Sequence, residues 1–160
     1  MNNFDCELTR TSNELKMSLR GYFNETADFC KIGVNPPETI TVNFRGVIYI
    51  NSTGIGRWIN WLKTEVTTNA PKATFVFQDC PKCIVDQMNM VRGFLPTGTI
   101  VQSAYIPFYG EITTETQNVL FRLGKNFKAD ENLLLGIEKI VDSAGNRMVP
   151  DVDLKQYFKF

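Results

Sequence analysis

A chain of 160 residues with 43% hydrophobic and 21% charged side chains has the composition of an ordinary globular protein, long enough to bury a core. Its 17 basic and 17 acidic residues cancel, so net charge gives no reason to expect nucleic acid or an anionic membrane as a partner. Histidine is absent, which excludes Ser-His-Asp and Cys-His catalysis, histidine general bases and every metal site built on imidazole. Four cysteines (Cys6, Cys30, Cys80 and Cys83) are too sparse for a disulfide scaffold. The N-terminal residues lack the basic and apolar regions of a signal peptide, and no apolar run approaches the ~18 residues a membrane helix needs. The expectation is a cytoplasmic protein with reduced thiols and no direct membrane insertion.

In chain order, Leu15, Met17 and Leu19 alternate with Lys16, Ser18 and Arg20, predicting a half-buried strand to Tyr22 or Phe23. Leu8 to Arg10 is its candidate hairpin partner. Asn24-Glu25-Thr26 offers a helix start leading into Ala27, Phe29, Cys30 and Ile32, and Asn35-Pro36-Pro37 breaks the chain. Ile40, Val42 and Phe44 alternate again, and Val47 to Ile50 completes a central strand region. A helix over about 52–66 carries Ile55, Trp58, Ile59, Leu62 and Val66 on one face.

Ala73 to Phe77 is β-prone. A second helix follows Gln78-Asp79-Cys80-Pro81, with Ile84, Val85, Met88 and Val91 as its core side. Thr99 to Ile106 predicts a further strand. The alternation of strands and helices up to Ile106 implies an α/β layer architecture. Beyond Phe108 the pattern changes. Asn118 to Leu123 and Leu133 to Val141 read as strands, 142–146 as a turn and Val152 to Phe158 as a short amphipathic segment. The tail is therefore expected to be a small β-rich extension.

The most informative stretch is the junction at 47–56, where four apolar residues end abruptly in Asn51-Ser52-Thr53-Gly54 and a helical pattern begins with Ile55. Such a junction presents unpaired backbone N–H groups and the positive end of a helix dipole, a natural place for a hydroxyl, an anion or a phosphate. The plain reading is that Asn, Ser and Thr are helix caps and nothing more.

A second candidate is Cys80-Pro81-Lys82-Cys83, a C-x-x-C between strand and helix. Taken alone it suggests a thioredoxin-type redox pair. Against that reading, Asp79 opposes a thiolate at Cys80, Pro107 follows too closely to serve as the expected proline loop, and no tryptophan precedes the pair. A zinc site would need about four ligands, and Cys6 and Cys30 are the only other thiols. Trp61 falls to one flank of the predicted core face, so either a partner surface beside Ser52 or packing against the tail is open to it. No nucleotide-binding glycine motif, nucleophile elbow or fixed acid–base pair is present, and no cofactor, metal or catalytic residue is expected.

Gly46 to Gly56, through Asn51-Ser52-Thr53-Gly54, resembles the signature of STAS domains, the anti-sigma-factor antagonist family. That family carries Asp-Ser-Ser/Thr-Gly between a central strand and the following helix. The similarity runs over roughly residues 5–107. It implies a STAS-like mixed sheet at 1–107 with packed helices, followed by the β-rich extension at 108–160. It also implies a non-enzymatic regulatory or adaptor module whose partner protein docks at Asn51, Ser52, Thr53, Gly54 and Ile55.

In regulatory members the first serine of the motif, here Ser52, is phosphorylated by a partner kinase that is also the anti-sigma factor. Here Asn51 replaces the family's aspartate. Relatives that are not phosphorylated include accessory subunits of lipid-transport ATPases, which makes a transporter subunit an alternative partner. Together with Cys80-Pro81 and 84–90, the motif also resembles a bacterial branch of STAS-like proteins with zinc-ribbon-like C-terminal extensions. The tail here has no cysteine, so the resemblance implies an appendage held by apolar packing.

Overall fold

The computed structural model describes residues 3–35, 37–123 and 136–160. The fold is mixed α/β: a five-stranded sheet with helices, and a small antiparallel sheet toward the C-terminus.

The first sheet has five strands, each paired with the next in chain order. Strands β1 (Asp5–Arg10) and β2 (Glu14–Phe23) form the predicted antiparallel hairpin, with Leu8 opposite Met17. Strand β3 (Thr39–Ile50) lies parallel to β2, and β4 (Thr74–Gln78) and β5 (Ile100–Val101) continue in parallel. Alternation along β2 buries Leu15, Met17 and Leu19 and exposes Lys16, Ser18 and Arg20, so one face of the sheet lies on the core and the other is open.

Between β2 and β3 the expected helix is reduced to one 3-10 turn, Phe29–Lys31. Asn24 turns the chain first, its side chain accepting from the Thr26 N–H at 2.9 Å. Gly33 and the two prolines that follow then leave no length for another helical turn.

Helix α1 (Ser52–Trp61) passes into a π-helical segment, Leu62–Val66, and a last turn α2, Thr67–Asn69. Threonine hydroxyls bond back into the carbonyl ladder there, Thr64 to Asn60 at 2.9 Å and Thr67 to Leu62 at 3.0 Å. Such back-bonding competes with regular α-helical pairing.

Helix α3 (Lys82–Met90) follows β4 and buries Ile84, Val85 and Met88, as its spacing predicts. Trp58 is at the centre of the core, fully buried among Phe23, Phe29, Phe44, Trp61, Phe77 and Phe94, with ring centroids 5.3–6.2 Å away. Its indole N–H donates to the Phe94 carbonyl at 2.8 Å.

The predicted strand 99–106 divides between the two sheets. Val101 still pairs with Phe77, whereas β6 (Ser103–Tyr109) belongs to the second sheet, in order β7-β6-β8 with β7 (Thr116–Arg122) and β8 (Val149–Pro150). The expected break at 107 therefore falls inside a strand. Cys80 stitches the sheets together, its N–H donating to Ser103 at 3.1 Å and its carbonyl accepting from Tyr105 at 2.9 Å.

Of the strand expected at 133–141, residues 136–138 are instead helical (α4), and 133–135 lie outside the described residues. A final turn, α5 (Leu154–Tyr157), returns to α3, where the Asn89 side chain donates to the Tyr157 carbonyl at 2.9 Å and the Tyr157 hydroxyl donates to the Tyr105 carbonyl.

Apolar packing is only part of what holds the extension. Phe108, Ile137, Met148, Tyr157 and Phe158 join the common core. Beside them Asp142, 5% exposed, is a polar hub. Its carboxylate accepts from the Thr113 hydroxyl at 2.8 Å and from the N–H groups of Ala144 and Asn146 at 3.0 and 2.8 Å. Burial pushes its pKa up, but the bonds from Asn146, Thr113 and Ala144 outweigh that and hold it below the ordinary aspartate value. The predicted turn at 142–146 thus ties itself to the loop at Thr113 as well as reversing the chain.

Candidate functional site

Asn51 supplies the helix cap: its backbone is extended and its side-chain oxygen accepts from the Gly54 N–H at 2.9 Å. Ser52 is therefore not the cap but the first helical residue, and its side chain is exposed, as is that of Thr53. A free hydroxyl at a helix N-terminus is open to a partner or a modifying enzyme.

The asparagine also has a tertiary reason. Its amide nitrogen lies 3.4 Å from the Glu25 carboxylate. An aspartate at this position would set two carboxylates against each other, so the asparagine suits a neighbour that only the fold brings near. Glu25 is a residue that sequence reading misses as part of the site; its only signal is the turn sequence Asn24-Glu25-Thr26.

Gly54 is buried and has no role that a partner can reach. A methyl group at its Cβ position would lie 1.9 Å from the Phe23 carbonyl oxygen, so α1 sits directly on the end of β2. The Asn51 N–H donates to that same oxygen at 3.1 Å. Ile55 is half-buried against the core. Of the residues predicted to face a partner, then, Ser52 and Thr53 are exposed, Asn51 and Ile55 are partly so, and Gly54 is enclosed.

Two features beside the junction enlarge the accessible surface. Strand β3 carries exposed Ile48 and Tyr49, 61% and 52% exposed, just ahead of the cap. A register shift between Gly21 and Tyr22 breaks the alternation there and leaves Tyr49 edge-to-face with Tyr22, ring centroids 5.8 Å apart. Along α1 runs a groove of about 630 Å³, whose lining includes Thr53, Gly56, Arg57 and Asn60. Trp61 forms part of its floor but is 2% exposed, its N–H donating to the Ile32 carbonyl at 3.1 Å. It packs on Phe29 and Trp58, which settles its place as core rather than partner surface or contact with the tail.

Cys80 and Cys83 are free thiols. Cys80 is fully buried, and burial, with Asp79 and Cys83 adding to it, pushes its pKa well above the ordinary thiol value. Burial raises that of Cys83 too, against weaker lowering by the N–H groups at the start of α3. Cys6, on β1, is pushed up to about 12 by burial and by Asp5. A thioredoxin-type nucleophile needs the reverse, a stabilised thiolate. Among the described residues, no three cysteine or carboxylate side chains converge as a metal-binding group, and no helix is long and apolar enough to cross a membrane.

Compared with protein-family models and with curated proteins, the sequence matches none.

Proposed function

We propose that this chain is a non-enzymatic regulatory or adaptor module of the STAS type. Its partner protein docks over the N-terminal end of α1, and Ser52 is the control point. The observation that carries the reading is an exposed serine at the first position of a helix whose cap is already satisfied by Asn51, set between the Ile48–Tyr49 surface and the groove along α1. Because the hydroxyl is not needed for capping, it is free for contact or phosphorylation. A phosphate adds about −1.5 to −2 charges at that point. The helix N-terminus favours such a charge, while the Glu25 carboxylate beside Asn51 opposes it.

An anti-sigma factor with serine-kinase activity and a transporter ATPase subunit are the two partner classes the STAS resemblance suggests, and both would use this surface. The test is recovery of the partner from the source cell by affinity capture, with intact mass of the recovered chain, followed by titration of that partner with variants. Ser52→Ala is expected to bind like the wild type and to take up no phosphate, and Ser52→Asp to bind at least about tenfold more weakly, a loss of about 1.4 kcal/mol. Equal affinities for all three proteins would remove Ser52 from the interface.

The oxidoreductase reading of Cys80 and Cys83 has its own measurement. With both thiols raised in pKa, thiolate is scarce at pH 7–8. Iodoacetamide should therefore modify them at least about tenfold more slowly than a free cysteine of pKa ~8.5, followed peptide by peptide in the native protein. Rapid labelling of either at pH 7 would restore a redox role.

A further inference from the structure

On the open face of the sheet, away from the helices, a pocket of about 300 Å³ lies between the two sheets. Arg45 of β3, Gln78 and Asp79 at the end of β4, Gln102 and Ser103 at the crossing, and Leu120 and Arg122 of β7 form its walls. We propose that this pocket binds a small molecule through an oxyanion group, phosphate or carboxylate, gripped by Arg45 and Arg122.

The charge arrangement points to an anion. The other cations of β2 and β3 are matched: Lys16 has Glu14 at 3.4 Å, and Arg20 has Asp5 at 2.7 Å and Glu7 at 3.9 Å. Arg45 and Arg122 have no carboxylate within ion-pair distance among the described residues, yet they share one cavity. Both side chains are exposed, so water screens their mutual repulsion, and an anion entering between them would be attracted by both at once.

The one acid in the pocket is already committed. The Ser103 hydroxyl donates to Asp79 Oδ1 at 2.7 Å, and the Asn43 amide donates to Oδ2 at 3.1 Å. The Asp79 backbone, at φ 51° in the left-handed region, is held there by its N–H donating to the same hydroxyl at 2.8 Å. Both carboxylate oxygens are thus turned to Ser103 and Asn43 rather than to the arginines; the charge stays, so the lining sets two guanidinium cations against one carboxylate and is positive overall.

The remaining walls suit a polar ligand. The Gln78 amide donates to the Gln102 carbonyl oxygen at 2.6 Å, which leaves the Gln102 NH2 as a donor and the Gln78 oxygen as an acceptor. Leu120 adds one apolar side. The planar, multi-donor guanidinium is the side chain best matched to a phosphate or carboxylate, and the volume is at the small end of ligand pockets. Because the walls come from both sheets, a bound anion would tie the extension to the main sheet.

The experiment uses the full chain and titrates inorganic phosphate and malonate against chloride at constant ionic strength, following the thermal midpoint and the heat of binding. Saturable stabilisation by phosphate identifies a phosphoryl-directed pocket, and by malonate a carboxylate-directed one; either supports the site. Arg45→Gln and Arg122→Gln should each weaken that binding at least about tenfold, since each removes a charge-assisted contact to the anion. Arg92→Gln, away from the pocket, should leave it unchanged. Far-UV circular dichroism of each variant shows that the fold is kept. No response beyond chloride, or an equal response in the double arginine variant, would overturn the proposal.

Discussion

Gly54→Ala is expected to destabilise the protein by ~3 kcal/mol or more, while the same change at Gly56, two residues on, stabilises it by about 0.5–1 kcal/mol. Both glycines lie in α1 and both carry the same helix-propensity cost relative to alanine. Their surroundings decide the sign. At Gly54 the added carbon would lie 1.9 Å from the Phe23 carbonyl oxygen, 2.4 Å from its carbon and 3.0 Å from the Asn24 nitrogen. All three are backbone atoms that cannot swing aside, so α1 must lift from β2 and strain the 3.1 Å bond from the Asn51 N–H. At Gly56 nothing lies within 4 Å. Urea denaturation of the two variants measures both effects, and equal midpoints would show that α1 does not rest on β2 as described.

Trp58→Ala should cost about 3–5 kcal/mol, the range for removing a large aromatic side chain from a packed core. The ring is in contact with residues of every layer: Phe23 and Phe44 on the sheet, Phe29 from the 3-10 turn, Trp61 along the helix and Phe94 after α3. Trp58→Phe keeps much of that volume but leaves the buried Phe94 carbonyl without its 2.8 Å donor, for an expected loss of about 1–3 kcal/mol. Chemical denaturation followed by circular dichroism orders the three proteins. A Trp58→Phe variant as unstable as Trp58→Ala would place the effect in the hydrogen bond, and one equal to wild type would place it in packing alone.

These two residues also bear on the docking role proposed for α1. One end of the helix is pinned to β2 through a glycine, and its middle is anchored by an indole. What remains free is the opposite side, with Ser52, Thr53, Gly56 and Asn60 exposed. A rigid helix with an accessible N-terminus presents a serine in a fixed position, and a charge added there acts on a defined surface rather than on a mobile loop.

Much of the fold was legible in the sequence because its signals are local. Period-2 alternation located β2 and β3, helical spacing located α1 and α3, and turn chemistry located the reversal at 142–146. The polar break at Asn51 marked the strand-to-helix junction. Where local signals were weak or competed, the reading failed. Asn24 suggested a helix that the following Gly33 and prolines cut to one turn. Residues 136–138 are helical where a strand was expected. The strand at 99–106 gave no hint that its two halves serve different sheets, because a sheet switch at Gln102 depends on which partner each half meets.

The sequence by itself determined the α/β class, the absence of histidine chemistry, the junction at Asn51-Ser52 and the placing of Asp79 beside Cys80, whereas the burial that chiefly raises the thiol's pKa is the fold's work. Each follows from composition or from residues adjacent in the chain. Only the tertiary structure decided that Asn51 rather than Ser52 is the cap, with Glu25 near it, that Gly54 is enclosed and that Trp61 is core. It alone brought Arg45 and Arg122 to one pocket and made Asp142 the hub of the extension. These depend on contacts between residues far apart in sequence, and such contacts leave no periodic trace in the chain that makes them.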